Sequence, residues 1–270
     1  MIRRLLHISC FILLLQTTSV IAGTTGSEDL KKIKAQDTAG ECFEGVSRVM
    51  FKFNHALDKV IFKPVAKGYR ALPVSIRKGT GNVVDNLRSL LTLSNNVLQG
   101  DLNRAGNTEA RFGINTTAGI LGIFDPAAKL GFEDQGKEDF GQTLGAWGSN
   151  SGCYFVLPIL GPTTARDAIG LVGNVFLDPV YQITHNTEID DGVVGNSTYS
   201  EHNYYYYRGT GTVDFRAKNI ESFESLEENS IDLYASLKSL YLQNRNKKIA
   251  NSKSIIETQD DSDWEEIDTN

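Results

Sequence analysis

The chain has 270 residues, 40% hydrophobic and 22% charged, with 25 glycines and 6 prolines. That composition is globular, holds enough apolar material for a sizeable core, and excludes collagenous, disulfide-dense or wholly disordered chains. The formal net charge is −6, but seven acids and no lysine or arginine sit in residues 257–270. The body is therefore nearly neutral, without the basic stripe a nucleic-acid partner needs.

At the start, Arg3 and Arg4 precede an apolar run from Leu5 to Leu15, and Val20, Ile21 and Ala22 stand before Gly23. This pattern predicts a signal peptide over residues 1–22, cleaved after Ala22, because the apolar run is too short to span a bilayer. Residues 23–41 are polar and aperiodic and read as a flexible tether. Cys10 lies in the signal, which leaves Cys42 and Cys153 in the exported chain. Either a bridge or two buried thiols suits them, and the sequence leaves both open.

From Cys42 onward, glycines recur at short intervals inside apolar segments, the pattern of short helices meeting at tight turns. Residues 82–99 place Val83, Leu87, Leu90, Leu91 and Leu98 on one helical face, with Gly100 as a stop. A second helix is predicted over 103–112. Residues 114–130 are apolar and carry Gly119 and Gly122; residues 157–181 give an LPILGP turn and then an apolar helix bearing Gly170 and Gly173. Residues 204–208 (YYYYR) have β-propensity but no alternating partner nearby. Residues 219–250 are helical, with Arg245, Lys247 and Lys248 suited to a last turn. Residues 251–270 read as an acidic, disordered tail. The fold class is mainly α, with little or no β.

Reactive constellations are scarce. His55, His185 and His202 are not spaced as metal ligands, and there is no C-x-x-C, so neither a metal nor a cofactor is expected. In residues 148–152 (GSNSG) the serines fall beside the nucleophile slot of G-x-S-x-G, and the segment reads as a turn. Residues 131–137 (GFEDQGK) have the spacing of a phosphate-binding loop, but Glu138 follows where Ser or Thr is required. Glu133 and Asp134 would also repel the phosphates, so this is a connecting loop. An exported chain with amphipathic, glycine-bearing helices and no catalytic set points to lipid.

Six blocks in order carry a resemblance: FNHALD (53–58), KPVAKGYRALP (63–73), NNVLQGD (95–101), RFGINTTAGILGIFDPA (111–127), EDFGQTLGAWG (138–148) and VLPILGPTTARDAIG (156–170). Together they resemble the MlaA/VacJ family of outer-membrane phospholipid-asymmetry lipoproteins. DLYASLKSLYLQNR (232–245) is similar to the family's closing helix, which puts the domain at residues 42–250. The resemblance implies a single ring-like domain of short amphipathic helices lying in one membrane leaflet around a central channel. It implies a non-enzymatic role at the periplasmic face of the outer membrane. Phospholipids misplaced in the outer leaflet would pass through the channel to a periplasmic phospholipid carrier, with trimeric porins as further partners. An envelope scaffold and a lipid hydrolase are the competing readings.

Carried over by motif, Arg111, Asn115, Thr116, Thr117 and Gln142 are the candidate channel or headgroup contacts. Phe53, Asn54, Asp58, Asp139, Phe140, Gly141, Arg166 and Asp167 are motif residues with structural roles. The chain departs from the family pattern in two places. No Cys follows the signal, which puts a lipid anchor in doubt, and Cys153 stands where the family has Pro, which draws attention to a bridge with Cys42.

Overall fold

The computed structural model describes residues 39–186 and 202–262. The signal peptide, most of the tether and the last eight residues of the acidic tail lie outside the described residues. The first helix, α1 (Glu44–Leu57), runs through a π-helical turn (Asp58–Phe62) into α2 (Lys63–Arg70). Pro64 accounts for the widening: it has no N–H to donate and its ring crowds the carbonyl four residues back, so the preceding turn takes wider hydrogen bonds such as Lys63 N–H to Asp58 O. Pro73 then opens α3 (Val74–Leu98), which is about 37 Å long at 1.5 Å per residue. Gly100, at φ 77°, reverses the chain. Asp101 caps α4 (Leu102–Thr117) by accepting from the Arg104 N–H at 2.9 Å, so α3 and α4 form a helical hairpin.

Beyond an irregular loop, Asp125 caps the short α5 (Pro126–Lys129) and Asp139 caps α6 (Phe140–Ala146). Strands β1 (Tyr154–Leu157) and β2 (Gly161–Thr164) pair antiparallel, with Tyr154 opposite Thr164 and Leu157 opposite Gly161. The LPILGP segment is their turn. Asn54 pins it, donating to Leu157 O at 2.8 Å and accepting from the Ile159 N–H at 2.6 Å. Thr164 caps α7 (Ala165–Leu177), and α8 (Pro179–Asn186), α9 (His202–Lys218), α10 (Ile220–Asn229) and α11 (Leu233–Ser262) follow.

The molecule is mainly α, as expected, with one small hairpin. Several local expectations change. Residues 204–208, whose composition has β-propensity, are helical within α9. The helical region 219–250 is split at Ser230–Asp232. Its second part continues to Ser262, so Arg245 lies mid-helix rather than in a last turn, and residues 251–262 are helical where the sequence suggests a disordered tail. Glu41, at the end of the tether, is part of the fold: it forms a bridge with Tyr154, and its carboxylate accepts from the Tyr234 hydroxyl and from Lys238 Nζ at 2.5 Å. Beside it Cys42 and Cys153 are joined by a disulfide, with Cα atoms 5.6 Å apart.

Beside a small apolar core that includes Tyr154, Val156 and Tyr234, much of the interior is polar. α3 buries Asn86, Thr92, Asn95 and Asn96, and α6 buries Gln142 and Thr143. Of the leucine face predicted for 82–99, Leu91 is buried, but Leu98 is exposed and the asparagines take the interior. The helix is amphipathic as read; the side that faces inward is the polar one. Conversely, Val46, Val49, Phe53, Val60 and Val65 form an exposed apolar stripe along α1 and α2, and Ile169, Val172 and Phe176 do the same on α7. Ile120 and Leu121, both exposed, take left-handed backbone angles (φ 54° and 56°), and Ile159 at the hairpin tip does likewise (φ 66°). Such angles are strained for bulky residues, and here they turn aliphatic side chains outward. Among the described residues, no helix is long and apolar enough to cross a membrane.

A second stripe along α1 and α2 is ionic. Arg48 meets Asp232 at 2.9 Å, Lys59 meets Glu227 at 2.6 Å, Lys63 meets Glu224 at 2.8 Å, and Arg70 meets Glu221. These pairs are solvent-screened, so they add little to stability. They align α10 and the break that follows it along α1 and α2.

Candidate functional site

The polar side of the α3–α4 hairpin encloses a cavity of about 110 Å³ of water-accessible space. Along α3, Asn82, Asn86, Ser89 and Thr92 recur at three- and four-residue steps and line one wall. On α4, Asn107, Arg111 and Asn115 stand four residues apart and, with Thr108, line the second. The third wall is the segment from Asp125 to Lys137. This includes the loop with phosphate-loop spacing, which is a connection as expected. Its glycines take positive φ at both ends, Gly131 at 90° and Gly136 at 99°, and they fold it over the hairpin.

Hydrogen bonds tie the walls together. Arg111 donates to Phe132 O and, at 2.9 Å, to Asp125 Oδ2. Asn115 donates to Asp125 Oδ1 at 2.9 Å and accepts from the Ala127 N–H at 3.1 Å. Burial opposes ionisation of Asp125, but Asn115, the Ala128 N–H and Arg111 outweigh it and hold this carboxyl below its usual range. Asn86 donates to Thr116 Oγ1 at 2.9 Å. Lys137 Nζ lies 3.2 Å from Asp134 and 3.6 Å from Asp85. Burial likewise pushes Asp134 up, and Lys137 and the Gly136 N–H more than offset it.

Arg111 and Asn115 therefore line the cavity, with Thr116 behind Asn86. Thr117 does not join them: it is exposed and its hydroxyl donates back to Gly113 O at 2.7 Å. Gln142 is fully buried away from the cavity, held by Lys137 O at 3.2 Å and Asp139 Oδ2 at 2.7 Å. Spacing within a motif could not separate a side chain that faces the cavity from one that braces its wall.

From the cavity a buried polar seam continues toward the far end of α3. Gln99 Nε2 donates to Thr143 Oγ1 at 3.0 Å and to Glu138 Oε2 at 3.2 Å, and the Thr143 hydroxyl donates to Asn95 Oδ1 at 2.8 Å. Burial pushes Glu138 above its usual range despite Gln99 and Arg104. From Asn82 to Gln99 this stripe is about 25 Å long.

The remaining motif residues lie away from the cavity. Phe53 belongs to the exposed apolar stripe and Asn54 pins the hairpin turn; Asp58 forms a two-pronged pair with Arg216 at 2.7 and 2.9 Å. The Phe140 N–H donates to Asn174 at 2.8 Å. Arg166 pairs with Asp167 at 3.2 Å. Gly141 lies where α6 crosses α7: a Cβ on Gly170 would stand 2.5 Å from the Gly141 nitrogen. Arg245 and Tyr241 are the residues that motif reading missed. Arg245 holds Asp139 at 2.6 and 3.0 Å and Asp167 at 2.7 and 3.0 Å, and the Tyr241 hydroxyl donates to Asp167 at 2.5 Å. Their four-residue spacing was legible, but their carboxylate partners lie 74 to 106 positions away.

Among the described residues there is no cluster of three or more metal-ligating side chains. The family model described as MlaA lipoprotein matches residues 40–248. The chain belongs to the MlaA lipoprotein family. A curated MlaA-family relative from Haemophilus influenzae, named "Intermembrane phospholipid transport system lipoprotein MlaA", is 29% identical over 87% of this chain and 88% of its own length. An uncharacterized protein of Rickettsia bellii is 34% identical over 79% of this chain and 78% of its own. Matches to the Rickettsia prowazekii, typhi, felis and conorii proteins span 58% to 62% of those relatives' lengths. A solved structure described as "Structural basis for maintenance of bacterial outer membrane lipid asymmetry" superposes with TM-score 0.66 at 27% identity, over 78% of this chain and 99% of that one.

Proposed function

We propose that this protein is a lipid-transport component of the outer membrane, which lies in one leaflet and gives phospholipid headgroups a polar path along the α3–α4 cavity and seam. The observation that carries this reading is the polarity of the helices around the cavity and on the surface: valine, isoleucine and phenylalanine exposed on α1, α2 and α7, asparagine, threonine and glutamine buried on α3 and α6. In water such a surface is costly, because apolar area wants to leave solvent. In a leaflet the same surface is buried among acyl chains, and the polar interior spares a headgroup the several kcal/mol that transfer into hydrocarbon costs, about 2–7 per unpaired polar group. The related H. influenzae protein is named for intermembrane phospholipid transport, which favours transport over hydrolysis.

Movement needs no energy source if the apolar walls admit lipid from one side only, since misplaced lipid runs downhill. The recipient in this proposal is a soluble periplasmic carrier, and a trimeric porin is the neighbour that holds the ring in place. The test is phospholipid transfer from liposomes containing the mature protein to such a carrier, with protein-free liposomes as control. Protein-dependent, ATP-independent transfer of intact lipid is the expected result. Membrane association without transfer, or release of free fatty acid, overturns the proposal.

A further inference from the structure

The charged lining of the cavity is unequal in kind. Asp125 is fully engaged by Arg111, Asn115 and the Ala128 N–H. Asp85 and Asp134 instead share one ammonium, that of Lys137, and both are half exposed. Counting Arg111 and Lys137 against Asp85, Asp125 and Asp134, carboxylates exceed cations by one. A phosphate that enters alone finds cations already matched, and drawing Lys137 toward it strips Asp85 and Asp134 of their shared partner.

We propose that the cavity favours phospholipids whose headgroup bears a primary ammonium, with the lipid ammonium replacing Lys137 between Asp85 and Asp134 while Lys137 turns to the phosphodiester. The exchange leaves the balance of charge in the cavity unchanged. A primary ammonium offers the same N–H donors as lysine and fits the same slot. A trimethylammonium has no N–H, so it meets the carboxylates by charge alone. An anionic glycerol headgroup brings no cation and leaves two carboxylates facing one another. The acids that disqualify the 131–137 loop as a phosphate cradle are thus what suit it to an amine.

This inference rests on the transport reading, and one assay separates the two. Donor liposomes carry equal amounts of an ethanolamine, a choline and a glycerol phospholipid with matched acyl chains, and mass spectrometry reads the lipid delivered to the acceptor. The ethanolamine lipid is expected to be enriched about tenfold over the glycerol lipid, with choline between, the difference one charge-assisted hydrogen-bonded pair makes. In the Asp85→Asn/Asp134→Asn double variant the ratio among whatever lipids are delivered falls to about one. A wild-type ratio near one, or a double variant that keeps the enrichment, overturns headgroup selection and leaves transport standing. Absence of wild-type transfer overturns both. The wild-type ratio decides by itself if the double variant fails to fold.

Discussion

Arg245→Met is the sharpest test of how α11 is held. Arg245 is 12% exposed and makes four hydrogen bonds of 2.6 to 3.0 Å to Asp139 and Asp167, whose side chains are 23% and 6% exposed. Burial alone would raise Asp139, but Arg245 and Gln142 pull it down to about 2. Against an ordinary carboxyl that shift corresponds to about 2 kcal/mol of folded-state stabilisation at neutral pH. Asp167 is also held low, since Arg245, Tyr241 and Arg166 outweigh its burial. Methionine keeps the volume and removes the cation, which leaves a buried carboxylate pair short of charge. The expected cost is about 3–5 kcal/mol, or about 10 °C in melting temperature for a domain of this size. The sign with pH follows. Both carboxyls have depressed folded pKa values, so their contribution is full above pH of about 4 and lost as pH falls toward about 2. Thermal melts of the detergent-solubilised protein across that range should therefore show the wild-type advantage shrinking as acid is added. The Asp139→Asn/Arg245→Met variant keeps an α6 cap without the stranded charge and should recover more than half the loss. An Arg245→Met protein within 1 kcal/mol of wild type at neutral pH, or a gap that does not narrow in acid, refutes the reasoning.

Three further outcomes are expected. Gly170→Ala forces a Cβ to 2.5 Å from the Gly141 nitrogen, where two backbones meet and neither can give, and should cost about 2–3 kcal/mol, whereas Gly106→Ala in open space on α4 should gain about 0.5–1; parallel denaturation curves read both signs. The Cys42–Cys153 disulfide closes a separation of 111 residues, so its reduction should cost about 4–5 kcal/mol in the chain-entropy account, and neither thiol should label in the unreduced native protein. Labelling of both would remove the bridge. Val172→Asp with Phe176→Asp places two carboxylates on the exposed apolar face of α7 and should lower partition onto liposomes at least about tenfold in a flotation assay, without lowering the helical content seen by circular dichroism.

Local chemistry was largely legible in the chain. Glycines and prolines marked the reversals, the 82–99 periodicity and the 103–112 composition marked two helices, and the LPILGP turn appears between the two short strands. These features depend on neighbours within a few residues, where spacing and backbone freedom decide conformation. Six ordered blocks also sufficed to suggest the family. What the chain alone could not supply was direction. A helix with leucines on one side and asparagines on the other is amphipathic in any solvent, and water would make the leucines core. Only the packing of α3 against α4 and α6 shows the asparagines inside, because that arrangement gives each buried amide a partner from another element. The same holds for charge. Arg245 looked like an end-of-helix cation until the fold brought Asp139 and Asp167 to it, and Lys137 looked like part of a failed phosphate loop until Asp85 stood beside it. Pairings across dozens of residues are set by topology, and a single sequence carries no distance between its parts.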